Sequence, residues 1–306
     1  MLEWIGHTLS HSHTILTSLE IKDCPTMNIP LVCCYNFLIS LDITDSTDSL
    51  RIFPLDFFPK LQTLKFRKCS NLEMISQEHL HDHRLASLLI SECPKFVSFP
   101  KGGFYAPSMK NLDIWQLENL KSMPECMHTL FPSLTNLSIK HCPQLEPFSD
   151  GSLPSSLKSL KHLITSLKWG LGINTSLKFL DIGKIDVDDQ GLLPLSLTSL
   201  HISDCVNLTN LDYEGLRHLS SLEELCLVNC PNLQCLPVEG LPKSISKLQV
   251  TDCLLLKQRC TKPNGEDWGK ISHIQCVKID CSNLDLNYLA YLDFHLEHYF
   301  SMYHGH

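Results

Sequence analysis

Apolar residues recur along this chain in one phrase, L-x-x-L-x-I/L-x-x-C, repeated every 20 to 25 residues. It stands as Leu16, Leu19, Ile21, Cys24, and again as Leu61, Leu64, Phe66, Cys69. It returns as Leu85, Leu88, Ile90, Cys93, and as Leu134, Leu137, Ile139, Cys142. Later copies are Leu197, Leu200, Ile202, Cys205; Leu222, Leu225, Leu227, Cys230; and Ile245, Leu248, Val250, Cys253. Three copies replace the cysteine: Leu38 to Ser46, Met109 to Leu117 and Leu177 to Ile185. A divergent copy, Ile271, Ile274, Cys276, Ile279, is expected to close the array. One more unit is needed within 150–176, where Leu157/Leu160 and Ile164/Leu167 compete for its register.

The L-x-L core of the phrase predicts a short strand whose alternate side chains point to opposite faces. A unit this short cannot bury its apolar face alone, so the units must stack. The pattern predicts one right-handed α/β horseshoe over residues 1–280, with roughly eleven to thirteen units and a parallel β-sheet on its concave face. At about 4.8 Å per strand, that sheet runs about 50 to 60 Å. A second pattern, C-x-x-L-x-x-L/F-P, follows the strand, as in Cys93, Phe96, Phe99, Pro100 and Cys230, Leu233, Leu236, Pro237. Proline and serine introduce new strands, as at Pro132-Ser133-Leu134 and Pro242-Lys243-Ser244-Ile245. Proline ends helices, so the outer wall is expected to be mostly irregular or 3-10 rather than built of long helices.

Seven cysteines, Cys24, Cys69, Cys93, Cys142, Cys205, Cys230 and Cys253, share the ninth position of the phrase. There the chain leaves the strand, and a small side chain with a weak S–H donor fits beside backbone polar groups. These residues are read as a structural ladder of thiols, not as nucleophiles or metal ligands. The chain has 55 leucines and three alanines, a composition unlike that of a helical solenoid. Its net charge of -8 gives no footprint for nucleic acid, and no apolar run reaches membrane-spanning length. Residues 1–16 lack the form of a secretory signal, so the fifteen cysteines are expected as thiols in the cytoplasm or nucleus.

The joint phrase resembles the leucine-rich-repeat region of plant intracellular disease resistance proteins, those with a coiled coil and a nucleotide-binding module. Pro143-Gln144-Leu145, Pro231-Asn232-Leu233, the 239–245 linker and the segment Gly265-Glu266-Asp267-Trp268-Gly269-Lys270-Ile271-Ser272-His273-Ile274 carry the resemblance. It implies non-enzymatic recognition of a pathogen effector or host protein, and regulation of a nucleotide switch. No G-x-x-x-x-G-K-[ST] loop stands in these residues, so that switch must lie elsewhere. The alternative is the substrate-recognition arm of an F-box-type ubiquitin ligase, which Ile185 to Leu192 resembles. No F-box-like N-terminal segment accompanies it.

Strand positions three, five, seven and eight are expected on the concave face. Candidate protein contacts there are Lys65, Arg67, Lys68, Trp115, Lys140 and Phe179, since aromatic and basic residues dominate binding hot spots. No cofactor or metal is expected. His79, His81 and His83 alternate in what reads as an exposed loop, and Asp186 to Gly191 imitates a calcium loop whose twelfth place is Leu197. Cys226 with Cys230 and the pair Cys33-Cys34 lack a matching second pair for zinc. The tail 281–306 departs from the repeat. Leu289, Leu292, Leu296 and Phe300 suit an amphipathic capping helix or an unstructured extension equally. Residues 1–12 suit the outer wall of a preceding unit, as in a fragment of a longer array.

Overall fold

The computed structural model describes residues 15–29, 34–46, 48–78, 83–100, 103–146, 148, 152–163, 176–183, 193–261 and 264–280. Twelve parallel strands form one sheet, from Ser18–Lys22 at one edge to Cys276–Ile279 at the other, each paired with the next unit's strand. The registers align the phrase throughout: Leu64 lies opposite Leu41 and Leu88, and Leu200 opposite Leu180 and Leu225. This is the expected leucine-rich-repeat solenoid.

Alternation decides which side chains fill the core. Fourth- and sixth-position residues such as Leu41, Ile43, Leu64, Phe66, Leu225 and Leu227 are fully buried. Each such burial contributes about 1.5–3 kcal/mol. Behind units two to five the core is aromatic. Phe53 stacks on Phe58 at 4.8 Å and meets Phe66 edge-on at 5.1 Å, and Phe104 packs 5.2 Å from Phe131. The outer wall holds a two-stranded parallel ribbon (Ile52–Pro54 with Met74–Ser76), a 3-10 turn at Leu55–Phe57 and short helices such as Tyr213–His218 and Leu254–Cys260. The Pro-Ser introductions have a local function as well: Ser156 and Ser196 each donate to the carbonyl of the preceding unit's first leucine, Leu134 and Leu177.

The competition within 150–176 is resolved in favour of Leu157 and Leu160, both fully buried, with Ser159–Leu163 as the strand. The closing copy, in contrast, needs correction. Val277 pairs with Leu248 and Ile279 with Val250, so Ile274, Val277 and Ile279 hold the first, fourth and sixth positions. Ile274 N–H donates to Ile271 O, as Leu222 donates to Leu219 O and Ile245 to Pro242 O at the same point of their units. Ile271 therefore belongs to the helix Trp268–Ile271 that leads into the strand. Isoleucines at the right spacing place the phrase one step early when only the sequence is read.

That helix is preceded by Asp267, whose side chain has no solvent exposure. Its carboxylate accepts from Leu236 N–H at 2.9 Å, from Arg259 Nε and Nη2 at 3.2 Å, and pairs with Lys270 Nζ at 2.9 Å. Lys270 also donates to Leu236 O at 2.9 Å. Gly265 has no room for a side chain, because a Cβ there would sit 2.2 Å from Arg259 O. The segment that carries the sequence resemblance at this end is thus an ionic clasp around a buried carboxylate, joining units ten and eleven.

Residues 1–14, 79–82, 164–175, 184–192 and 281–306 lie outside the described residues. The expectations for the tail, the N-terminal segment, His79, His81 and the Asp186–Gly191 loop fall there, as does Cys33. His83 is described and is 2% exposed, so this end of the histidine motif is buried rather than on an open loop.

Candidate functional site

Where the eighth-position residue is described, the strand ends on a left-handed residue. The eighth-position residues Asp23, Asp45, Lys68, Glu92, Gln116, His141, Asp204, Asn229 and Asp252 all have φ between 46 and 55°. Seven of their N–H groups donate across to the seventh-position carbonyl of the next unit, as Lys68 does to Ser91 O and Gln116 to Lys140 O, whereas Asp252 N–H donates to Asp280 Oδ1 at 2.8 Å. Aspartate and asparagine tolerate this region best among residues with a Cβ, which accounts for the recurring Asp or Asn before the ladder cysteine. Lys68 therefore sits at the rim where the chain turns, beyond the flat of the sheet.

Just past that turn lie the ladder cysteines. Cys93, Cys142, Cys205 and Cys253 donate to the carbonyl two residues back, at 3.2, 3.3, 3.3 and 3.4 Å. Cys69 and Cys230 reach the same carbonyl and, in addition, one in the preceding unit, Ile43 O and Ile202 O. All six are buried, and burial pushes the Cys142 thiol up to about 11. Cys24 makes the same bond to Lys22 O but is exposed. It follows the first strand of the described sheet, which has a neighbour on one side only. Ser46 takes the cysteine's place in unit two, donating to Thr44 O at 2.7 Å and accepting from Cys24 N–H. Among the described thiols, iodoacetamide labelling of the native protein should modify Cys24, Cys34 and Cys126 first. The six buried ladder thiols should react at least about a hundredfold more slowly. Peptide mapping that finds Cys93 labelled as fast as Cys126 would refute this placement.

On the concave face the predicted contacts divide into two groups. In the first, Arg67 is not an open cation: it forms a two-pronged pair with Asp42 at 2.8 and 3.0 Å, and both side chains are mostly buried. Lys65 occupies the fifth position of the same strand, between Asp42 and Leu89. The second group spans units five to nine. Trp115 is half-buried with His141 edge-on at 6.5 Å. Phe179 is half-buried, with His201 edge-on at 4.7 Å and Lys161 Nζ 5.6 Å from its ring centroid. Burial brings the Lys140 ammonium down to about 8, although Asp181 and Asp113 favour its charge. Burial likewise raises the Asp113 carboxyl and lowers the His201 imidazole. Half-desolvated aromatics flanked by charge form a surface suited to protein contact. Sequence reasoning missed Asp113, Lys161 and Asp181, although each occupies the fifth position of its own phrase.

No family model matches the chain. It is 33% identical over 288 residues to the putative disease resistance protein At3g14460 of Arabidopsis thaliana, a match covering 89% of this chain and 20% of that protein. The chain is a leucine-rich-repeat array like those of plant disease resistance proteins. Another Arabidopsis relative, the putative disease resistance RPP13-like protein 1, is 31% identical over 171 residues, 49% of this chain and 16% of that protein. The array thus spans about a fifth or less of either relative's length. Among solved structures, the circular leucine-rich-repeat protein CroV588 aligns with a TM-score of 0.48 at 18% identity, over 86% of this chain and 43% of that one.

Nothing in the described part of the array forms a group of three or more His, Cys, Asp or Glu placed to hold a metal ion. No described helix is long and apolar enough to cross a membrane. Cys226 is buried at the fifth position of its strand, outside the core cluster that contains Cys230. The two thiols are thus not arranged as a ligand pair.

Proposed function

We propose that this array is a non-enzymatic protein-recognition element of plant disease resistance, acting in the cytoplasm or nucleus. Its concave face binds a protein partner, either a pathogen effector or a host protein, and restrains a nucleotide-binding switch that these 306 residues do not contain. The observation that carries the reading is the pair of half-buried aromatics, Trp115 and Phe179, set among charged side chains on a rigid twelve-strand sheet. Rigid aromatic anchors lose little conformational entropy on binding, and surrounding polar groups supply specificity. A partner that touches the same face in only one state of the switch would bias that switch by its differential affinity.

The test is co-purification with the nucleotide-binding module of a coiled-coil-class disease resistance protein. The parent array should retain the module, and Trp115→Ala combined with Lys65→Ala should lower retention at least about thirtyfold, the effect of losing a hot-spot residue. Undiminished retention, with an unchanged melting curve, would exclude the central concave face as the regulatory surface.

A further inference from the structure

We propose that units five to eight bind a short acidic polypeptide segment, through a row of lysines along the N-terminal rim of the sheet. This rests on the recognition reading above and names the chemistry of the partner. The row is built by the backbone. The second residue of each unit turns its carbonyl toward the next unit and accepts two N–H groups from it. Lys110 O takes Thr135 and Asn136, Thr135 O takes Lys158 and Ser159, and Lys158 O takes Lys178 and Phe179, all at 2.9–3.0 Å. Lys110, Thr135, Lys158 and Lys178 are thereby fixed in line across four neighbouring units, about 14 Å end to end. The three lysines are exposed.

The row has sharp limits. Gln62 and Ala86 precede it at the same position, and Thr198 and Glu223 follow, so the positive charge is confined to these units in a chain of net charge -8. Lys161 extends the patch onto the concave face, exposed beside the Phe179 ring. The carboxylates nearest to it are withdrawn. Asp181 is 8% exposed and accepts from Ser203 Oγ, and Asp113 is half-buried. Glu224, farther along, is engaged by Lys247 at 2.6 Å.

A span of about 14 Å accommodates roughly four residues of extended chain, whose carboxylates on one side recur every ~7 Å. Flexible lysine stems can follow that spacing, and Phe179 offers an apolar contact between charges. A long polyanion fits less well. Opposite units five and six the other rim carries Gln116 and His141, while Glu92 and Asp204 stand on the flanking units four and nine. A polyanion long enough to run beyond the patch therefore meets carboxylates.

The test uses the whole chain and a fluorescein-labelled octapeptide of alternating glutamate and phenylalanine, followed by anisotropy. The parent should bind it, and the lysine-for-glutamate version of the peptide should not bind. Lys158→Glu with Lys178→Glu should weaken binding at least about tenfold, and Phe179→Ala about threefold. Lys243→Glu, an exposed lysine on the loop leading into strand Lys247–Thr251, should leave it unchanged. Equal binding by the doubly reversed variant overturns the proposal. Single-stranded oligothymidylate binding as tightly as the acidic peptide also overturns it, in favour of general polyanion attraction. If the peptide fails to bind while Trp115→Ala with Lys65→Ala still releases the nucleotide-binding module, the recognition reading stands and the lysine row is not its surface.

Discussion

Asp267→Ala is expected to lower the free energy of unfolding by about 3 kcal/mol or more, measured by urea denaturation. The carboxylate is fully buried and satisfies three groups at once: Leu236 N–H, the Arg259 guanidinium and Lys270 Nζ. Deleting it leaves the Leu236 N–H without its acceptor and takes from Lys270 and Arg259 the carboxylate they share, although Arg259, about a third exposed, keeps Glu266. Loss of one partner from a buried ion pair costs about 3–5 kcal/mol, and the lower end applies here. Each unit of a solenoid touches only its neighbours, so the damage should be local. Hydrogen exchange should accelerate in strands Lys247–Thr251 and Cys276–Ile279 while Thr63–Arg67 keeps its protection. The clasp also predicts a pH dependence. Burial acts to raise the Asp267 pKa, but Arg259, Lys270 and the Leu236 N–H outweigh it and hold the carboxyl below its usual value. A group with a depressed folded pKa contributes stability that is complete above its unfolded value, about 3.9, and is lost as pH falls through the folded one. Asp267→Asn keeps an acceptor for Leu236 but abolishes that acid-sensitive part. A variant as stable as the parent, with unchanged exchange near the C-terminal strands, would refute the clasp.

Cys142→Asp should destabilise the array by a similar amount, about 3–5 kcal/mol, because it places an unpaired charge in the core. Cys142 is 2% exposed, and its thiol faces the carbonyl of Lys140 at 3.3 Å, which a carboxylate would repel. The size of the loss should depend on donor chemistry. Cys142→Asn retains an N–H donor for that carbonyl and should cost about 1 kcal/mol or less. Cys126→Asp, on an exposed residue of the outer wall, should stay within about 0.5 kcal/mol of the parent. A Cys142→Asp variant melting with the parent would remove the ladder from the description of this core.

Much of this molecule was legible without coordinates because a repeat is a local code. One unit states which positions face inward, and stacking applies the same answer to every other unit. The period, parallel sheet, inward leucines and small ninth-position side chain follow from the phrase itself. What the phrase leaves open is anything that joins residues of different units. Whether Arg67 is an available cation depends on Asp42, 25 residues away and one strand over. Whether Asp113 and Asp181 are open to solvent depends on the lysines and rings that neighbouring strands bring beside them. The closing unit shows the limit most directly: Ile271, Ile274 and Ile279 satisfy the spacing in more than one frame, and hydrogen bonding to strand Lys247–Thr251 selects one. Sequence alone determined the solenoid, since alternation and period are short-range properties of the chain. Tertiary structure decided the frame of its last unit, the pairing of its charges and the ionic clasp, since each of these is fixed only when strands from separate units come into register.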